Sequence, residues 1–225
     1  IKYSSAFLLF PNTKYLSTTK NTLKNLLTCG SIKDVELLYR GPIDGNYINS
    51  SAKFGLNGLG DEICLNVNGY NIKKINGTFT VNDFNFIGNI ENGDFQGSNL
   101  QANIQTFKDE KIYSFQVEGN SNGPFSTILD SFLIKDEKIS SIKGFHSSTF
   151  SFNSPLQQNI SLLSPLSDLK IHTEIEKGGF NFDELGFNLN NLFSSIKYDS
   201  SSGPYEGFIS LKLNSIPFSF EIDEA

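Results

Sequence analysis

Apolar and polar side chains alternate along much of the chain. In "GPYEGFISLKLNSIPFSFEI", residues 203–222, polar residues separate Ile209 from Leu211, and the pattern resumes at Phe218 and Phe220. Because successive side chains of a β-strand point to opposite faces of the sheet, this pattern predicts strands with one apolar and one polar face. Similar segments recur between Asn-, Gly- and Ser-rich turns, which predicts a meander of antiparallel strands.

Two segments have helical spacing instead. Residues 16–30 place leucines on one helical face and end at Gly30, and residues 123–134 begin with Gly-Pro and continue with apolar residues three and four apart. The predicted organisation is one continuous β segment, 1–225, of a larger protein. Its parts are a strand plus short amphipathic helix over 1–30, a first β-meander over 31–122, a short helix over 123–134 and a second β-meander over 135–225.

The predicted apolar face needs a cover. A second sheet, closure into a barrel, or an apolar ligand can provide it. One interpretation is a closed β-sandwich or barrel with a core of Phe and Ile. The other is a long antiparallel, strongly curved sheet that forms an open trough-like groove for acyl chains. The residues predicted to line the face are Val35, Leu37, Ile63, Leu65, Val67, Phe79, Val81, Phe84, Phe86, Leu100, Ile104, Tyr113, Phe115, Val117, Phe150, Phe152, Leu169, Ile171, Ile175, Ile209, Leu211, Leu213, Phe218, Phe220 and Ile222.

Composition supports strands and turns and excludes some partners. The chain has 21 Phe and 19 Gly but no Met or Trp, and its net charge of -6 leaves no basic patch for nucleic acid or for an anionic lipid surface. Because the chain contains no Met, we expect a processed form or an excised segment. It has no apolar run of the ~20 residues that span a bilayer.

Few residues are candidates for catalysis, metal binding or a disulfide. Cys29 and Cys64 have no neighbouring metal-ligand pattern, so buried free thiols are favoured and a Cys29–Cys64 disulfide is the alternative in an oxidising compartment. His146 shares its register with Phe150, which predicts an inward-facing, hydrogen-bonded histidine, and His172 lies in another alternating run. Acidic pairs lie next to turn-like segments, and no nucleophile-elbow motif occurs. We therefore expect no enzyme activity, no metal and no cofactor.

Five blocks, in order along the chain, carry a family resemblance. Residues 10–45 combine Pro11 after an apolar run, an amphipathic helix ending at Gly30, a strand, and an aromatic-basic-Gly-Pro turn at residues 39–42. This block resembles the YhdP branch of the AsmA-like bacterial envelope proteins, which are related to TamB. Residues 75–107 resemble the next hairpin unit of that family, and residues 118–133 resemble its Gly-containing strand end followed by a short helix. Residues 140–156 resemble a strand that leads to a Ser-Pro-Leu turn, and residues 187–222 resemble the closing unit.

The resemblance implies a function. Such a chain would be an internal segment of a bridge-like lipid transport protein, anchored in the inner membrane of a Gram-negative bacterium and extended through the periplasm. Phospholipid acyl chains would move along an apolar β-groove between the inner and outer membranes. The alternative that the residues leave open is a closed β-sandwich that acts as a binding or adhesion module of a cell-envelope or secreted protein.

Overall fold

The computed structural model describes Lys2 and residues 27–40, 53–67, 70–82, 85–109, 112–127, 139–155, 168–201 and 203–222. Eleven strands account for nearly all of these residues. They are β1 (Leu27–Arg40), β2 (Lys53–Val67), β3 (Tyr70–Asn82), β4 (Asn85–Phe95), β5 (Ser98–Asp109), β6 (Ile112–Pro124), β7 (Ile139–Pro155), β8 (Asp168–Phe182), β9 (Phe187–Asp199), β10 (Gly203–Leu213) and β11 (Ile216–Ile222).

The strands form one antiparallel sheet in which the spatial order is the chain order. Tight turns explain this topology. Gln96 and Gly97 join β4 to β5, and Asn214 and Ser215 join β10 to β11, all with positive φ. Two such residues match the right-handed twist of a hairpin. In the part of the chain that the structure describes, β1 and β11 are the sheet edges and do not pair with each other. The predicted mainly β, antiparallel and unclosed fold is confirmed.

The predicted helix over residues 16–30 does not extend to Gly30. Residues 27–30 begin β1, whereas residues 16–26 lie outside the described residues. Gly30 has a φ of +104°, and a Cβ there would lie 2.6 Å from the Cα of Ile63. This glycine therefore permits close approach to β2 within an irregular strand pair and does not cap a helix.

The second predicted helix is also displaced. Residues 123 and 124 continue β6, and one helical turn is present at residues 125–127. The rest of the predicted helix, residues 128–134, lies outside the described residues. Gly123 and Pro124 pair with β7 and so continue the strand, and the helical turn begins at the next residue, Phe125.

Cys29 and Cys64 form a disulfide, which corrects the favoured interpretation of free thiols. The two residues are direct partners on β1 and β2, with their Cα atoms 4.8 Å apart. Their separation of 35 residues in sequence conceals this cross-strand register.

The chain divides into two compact units. Unit 1 comprises Ile1–Gln96 and Leu100–Tyr113, and unit 2 comprises Gly97–Asn99 and Ser114–Ala225. In each unit, buried apolar residues lie along the strands, and in unit 2 also at Phe125 in the helical turn. In unit 1 they are Ile32, Leu56, Ile63, Ile75, Ile90, Leu100 and Ala102, and in unit 2 they are Phe125, Phe152, Ile175 and Leu192.

Candidate functional site

The predicted apolar residues of unit 2 share one face of its strands. Val117 pairs with Phe152, which in turn pairs with Leu169, and Ile209 pairs with Phe220. Directly opposite residues in antiparallel strands point to the same side. By this register the face, called here the apolar face of unit 2, contains Phe115, Val117, Phe150, Phe152, Leu169, Ile171, Ile175, Ile209, Leu211, Leu213, Phe218, Phe220 and Ile222.

The opposite face of unit 2, its polar face, carries charge. Lys170 of β8 is paired with Asp199 of β9, and their charged groups lie 3.1 Å apart. Hydrogen bonds from Ser201 and then from Lys170 lower the pKa of Asp199 to about 2. His172 lies on the same face, with Nε2 2.9 Å from Oγ of Ser195. The predicted alternation therefore separates ionic from apolar groups in β8 and β9.

Sequence reasoning missed several residues of the apolar face. Leu192 is buried with Ile175 and Phe125, and Phe180 and Leu189 pack against this cluster. The alternation slips here because β8 and β9 contain irregular pairings, with positive φ at residues 177 and 191. An extra residue in a strand restarts the period on the other parity. Residue 191 is an asparagine, a residue type that tolerates positive φ. This asparagine was a feature of the sequence that could have indicated the irregularity in β9.

Coverage of the apolar face decreases from β9 to β11. Leu192 in β9 is buried, whereas Ile216, Phe218 and Phe220 in β11 are 60%, 39% and 52% exposed. The rings of Phe218 and Phe220 stack with centroids 6.3 Å apart. The β11 end of this face is therefore accessible to an apolar ligand.

A chain of hydrogen bonds crosses the other end of the apolar face. Buried His146 places Nε2 2.9 Å from Oγ of Ser98 and Nδ1 3.2 Å from Oγ of Ser148, which lies 3.0 Å from Oγ1 of Thr173. His146 reaches Ser98 on β5 across Gly123, its partner on β6, which has no side chain to block the path. The predicted inward-facing, hydrogen-bonded histidine is confirmed, and burial lowers its pKa.

The Ser98–His146 pair resembles part of a catalytic arrangement, but its surroundings argue for a structural role. Ser98 is only 1% exposed, so its hydroxyl cannot meet a substrate in this conformation. The second ring nitrogen of His146 faces a serine and not the carboxylate that orients a catalytic histidine. The described residues contain no cluster of three potential metal ligands, and no described helix is long and apolar enough to span a membrane.

Unit 1 also gathers its predicted residues on one face. Leu37 pairs with Leu56, which pairs with Val81, and Val81 pairs with Phe86. Phe79 lies between Gly58 and Gly88, its partners on either side. The predicted residues on this face are Val35, Leu37, Ile63, Leu65, Phe79, Val81, Phe86, Leu100 and Ile104.

Three predicted residues have no described side chain. Val67 and Tyr113 lie in β2 and β6, but their side chains are outside the described part, and Phe84 lies wholly outside the described residues.

The segregation of apolar from polar residues has exceptions. Phe145, Phe193 and Phe208 lie on the polar face of unit 2 and are exposed. Phe208 is 48% exposed, but its cross-strand partners are Ser195 and Glu221. Its direct partners are therefore polar, whereas the direct partner of Phe220 is Ile209.

No protein-family model matches the chain, and neither the curated proteins nor the solved structures contain a match. The resemblance to AsmA-like envelope proteins therefore stays a prediction that rests on the sequence blocks described above.

Proposed function

We propose that unit 2 binds acyl chains of phospholipid on its apolar face, and that the chain is a segment of a periplasmic lipid transport protein. The observation that carries this proposal is the exposure of Ile216, Phe218 and Phe220 next to Ile209 and the rest of the apolar face. Contiguous exposed apolar surface commonly marks a ligand or partner site.

The chemistry of the face suits movement better than tight capture. Each ligand methylene that is buried against aliphatic and phenyl side chains contributes about 0.8 kcal/mol to the binding free energy. This contribution has no preferred direction. An acyl chain can therefore shift along such a surface without breaking specific bonds. Its head group would remain in water beyond the exposed strand β11.

A closed binding or adhesion module is the second candidate. It is favoured by the burial of Leu56, Ile63 and Ile75 in unit 1, since a covered face leaves less room for a ligand. This candidate assumes a closed β-sandwich, which needs a second sheet, whereas the described residues form a single unclosed sheet. We therefore place acyl-chain binding in unit 2 first.

Native mass spectrometry of the chain purified from cells, paired with lipid extraction, tests the proposal. We expect bound phospholipid in the wild type and its loss in Phe220→Asp, which places a charge on the apolar face. Phe208→Asp is the matched control, because Phe208 is similarly exposed but lies on the polar face. A lipid-free monomer, or equal lipid content in the two folded variants, would contradict the proposal.

A further inference from the structure

Among the residues that the structure describes, one buried hydroxyl on the apolar face of unit 2 has no hydrogen-bond partner. Ser194 of β9 is 5% exposed, and its Oγ makes no hydrogen bond in the described part of the chain. The residue lies directly between Ile175 of β8 and Ile209 of β10. A buried hydroxyl without a hydrogen bond opposes folding, so a hydroxyl at this position suits a ligand that completes its bonding.

Ser194 lies inward from the exposed edge of the face. Its row continues through Ile209 to Phe220 on β11, which is half exposed. Neighbouring strands lie about 4.8 Å apart, so two strand spacings place Ser194 about 10 Å from β11. From Gly207 to Ile222, the described residues on the apolar face of β10 and β11 are glycine, aliphatic or phenyl. An acyl chain lying across these two strands would extend as far as Ser194, and displacement of the side chains that cover its Oγ would then open the hydroxyl to the ligand.

The surroundings favour an uncharged group at Ser194. The charged residues nearest in register, Glu174 and Glu176, flank Ile175 and lie on the polar face, as do Lys197 and Glu206. The imidazole of His146, one strand beyond Ile175 in the same row, has a pKa lowered by burial. A carboxylate or phosphate would lose its hydration here without gaining a counter-charge, which is unfavourable.

We infer that Ser194 binds an uncharged oxygen, a hydroxyl or a keto oxygen, carried within the acyl chain of the lipid. This inference rests on the proposed function and specifies the ligand class of the same face. A hydroxyl substituent can both accept a hydrogen bond from Ser194 and donate one to it, whereas a keto oxygen can only accept. The head group of the ligand stays in water at β11.

Displacement of a fluorescent fatty acid from the full chain provides the test. The competitors are stearate and stearate derivatives with a hydroxyl or a keto group in mid-chain. We expect the wild type to bind an oxygenated chain about tenfold more tightly than stearate, the factor that corresponds to one typical hydrogen bond. Ser194→Ala should abolish this preference while retaining stearate binding. Ser195→Ala, on the polar face of the same strand, should keep the preference.

The outcomes distinguish failure of this inference from failure of the proposed acyl-chain binding. Equal affinity of the wild type for all competitors, or a preference that survives Ser194→Ala, overturns the inference and leaves acyl-chain binding intact. Failure of every competitor to bind overturns both. We also expect Ser194→Ala to unfold at no lower urea concentration than the wild type. A lower midpoint would reveal an internal bonding role for this hydroxyl and would overturn the inference as well.

Discussion

Replacement of Gly123 by alanine tests how β5, β6 and β7 fit together in unit 2. Gly123 is the partner of His146, and a Cβ at this position would lie 2.7 Å from both Cα and Cβ of Ser98. Separations below 3.0 Å are essentially absent for real Cβ atoms, so the backbone at Ser98 must move. That movement should break the 2.9 Å hydrogen bond between Ser98 and His146.

Two costs determine the size of the effect. Forcing an extra carbon into a packed position costs about 1–3 kcal/mol. Leaving a buried polar group without its partner costs about 1–3 kcal/mol more. The free energy of unfolding should therefore fall by about 2–6 kcal/mol, a large part of the 5–15 kcal/mol that is typical of a folded protein.

Urea unfolding followed by far-ultraviolet circular dichroism measures this loss, since the chain has no Trp for fluorescence. Gly55→Ala is the control. Gly55 also lies within a strand, but the nearest atom to its added Cβ would be 3.6 Å away, an ordinary contact. The control should stay within about 0.5 kcal/mol of the wild type. A Gly123→Ala variant as stable as Gly55→Ala would refute the reasoning.

Two further changes have calculable effects on stability. Replacing Cys29 and Cys64 together by serine should lower the free energy of unfolding by about 4 kcal/mol, because the disulfide closes a loop with a sequence separation of 35 residues. A loss below about 1 kcal/mol in urea unfolding would contradict this estimate. Burial lowers the pKa of His146 below its ordinary value of 6.5, so below that pH the unfolded state binds more protons at this residue. Unfolding free energy should therefore fall as pH decreases from 6.5, by up to about 1.4 kcal/mol per pH unit until the folded-state pKa is passed, and His146→Gln should lack this component. Identical pH profiles of the wild type and His146→Gln would contradict it.

Sequence alternation predicted the faces of the sheet wherever the strands are regular. β10 and β11 pair from Gly207 to Ile222 without a register shift, and there Ile209, Leu211 and Phe220 occupy the predicted side. His146 was placed inward by the same counting. Alternation is a local property, so it survives as long as no extra residue interrupts the strand.

The features of the fold and of the candidate site that the sequence did not predict depend on contacts between residues far apart in the chain. The irregular pairings around residues 177 and 191 shift the period, so Phe180 and Leu189 were not predicted to lie on the apolar face. The disulfide depends on which residues of β1 and β2 face each other, and the Ser98–His146 bond joins residues 48 positions apart. Local propensity also fails at residues 27–30, where strand pairing replaces the predicted helix end.

The comparison of Phe220 with Phe208 shows why exposure alone does not identify the candidate site. Both rings are about half exposed, and they lie on adjacent strands. Phe208 faces Glu221 and Ser195, so water reaches polar groups on both sides of its ring. Phe220 faces Ile209 and stacks with Phe218, so a ligand that covers it also removes neighbouring apolar surface from water. Because the gain from burial grows with the contiguous area covered, ligand binding is favoured at Phe220 far more than at Phe208.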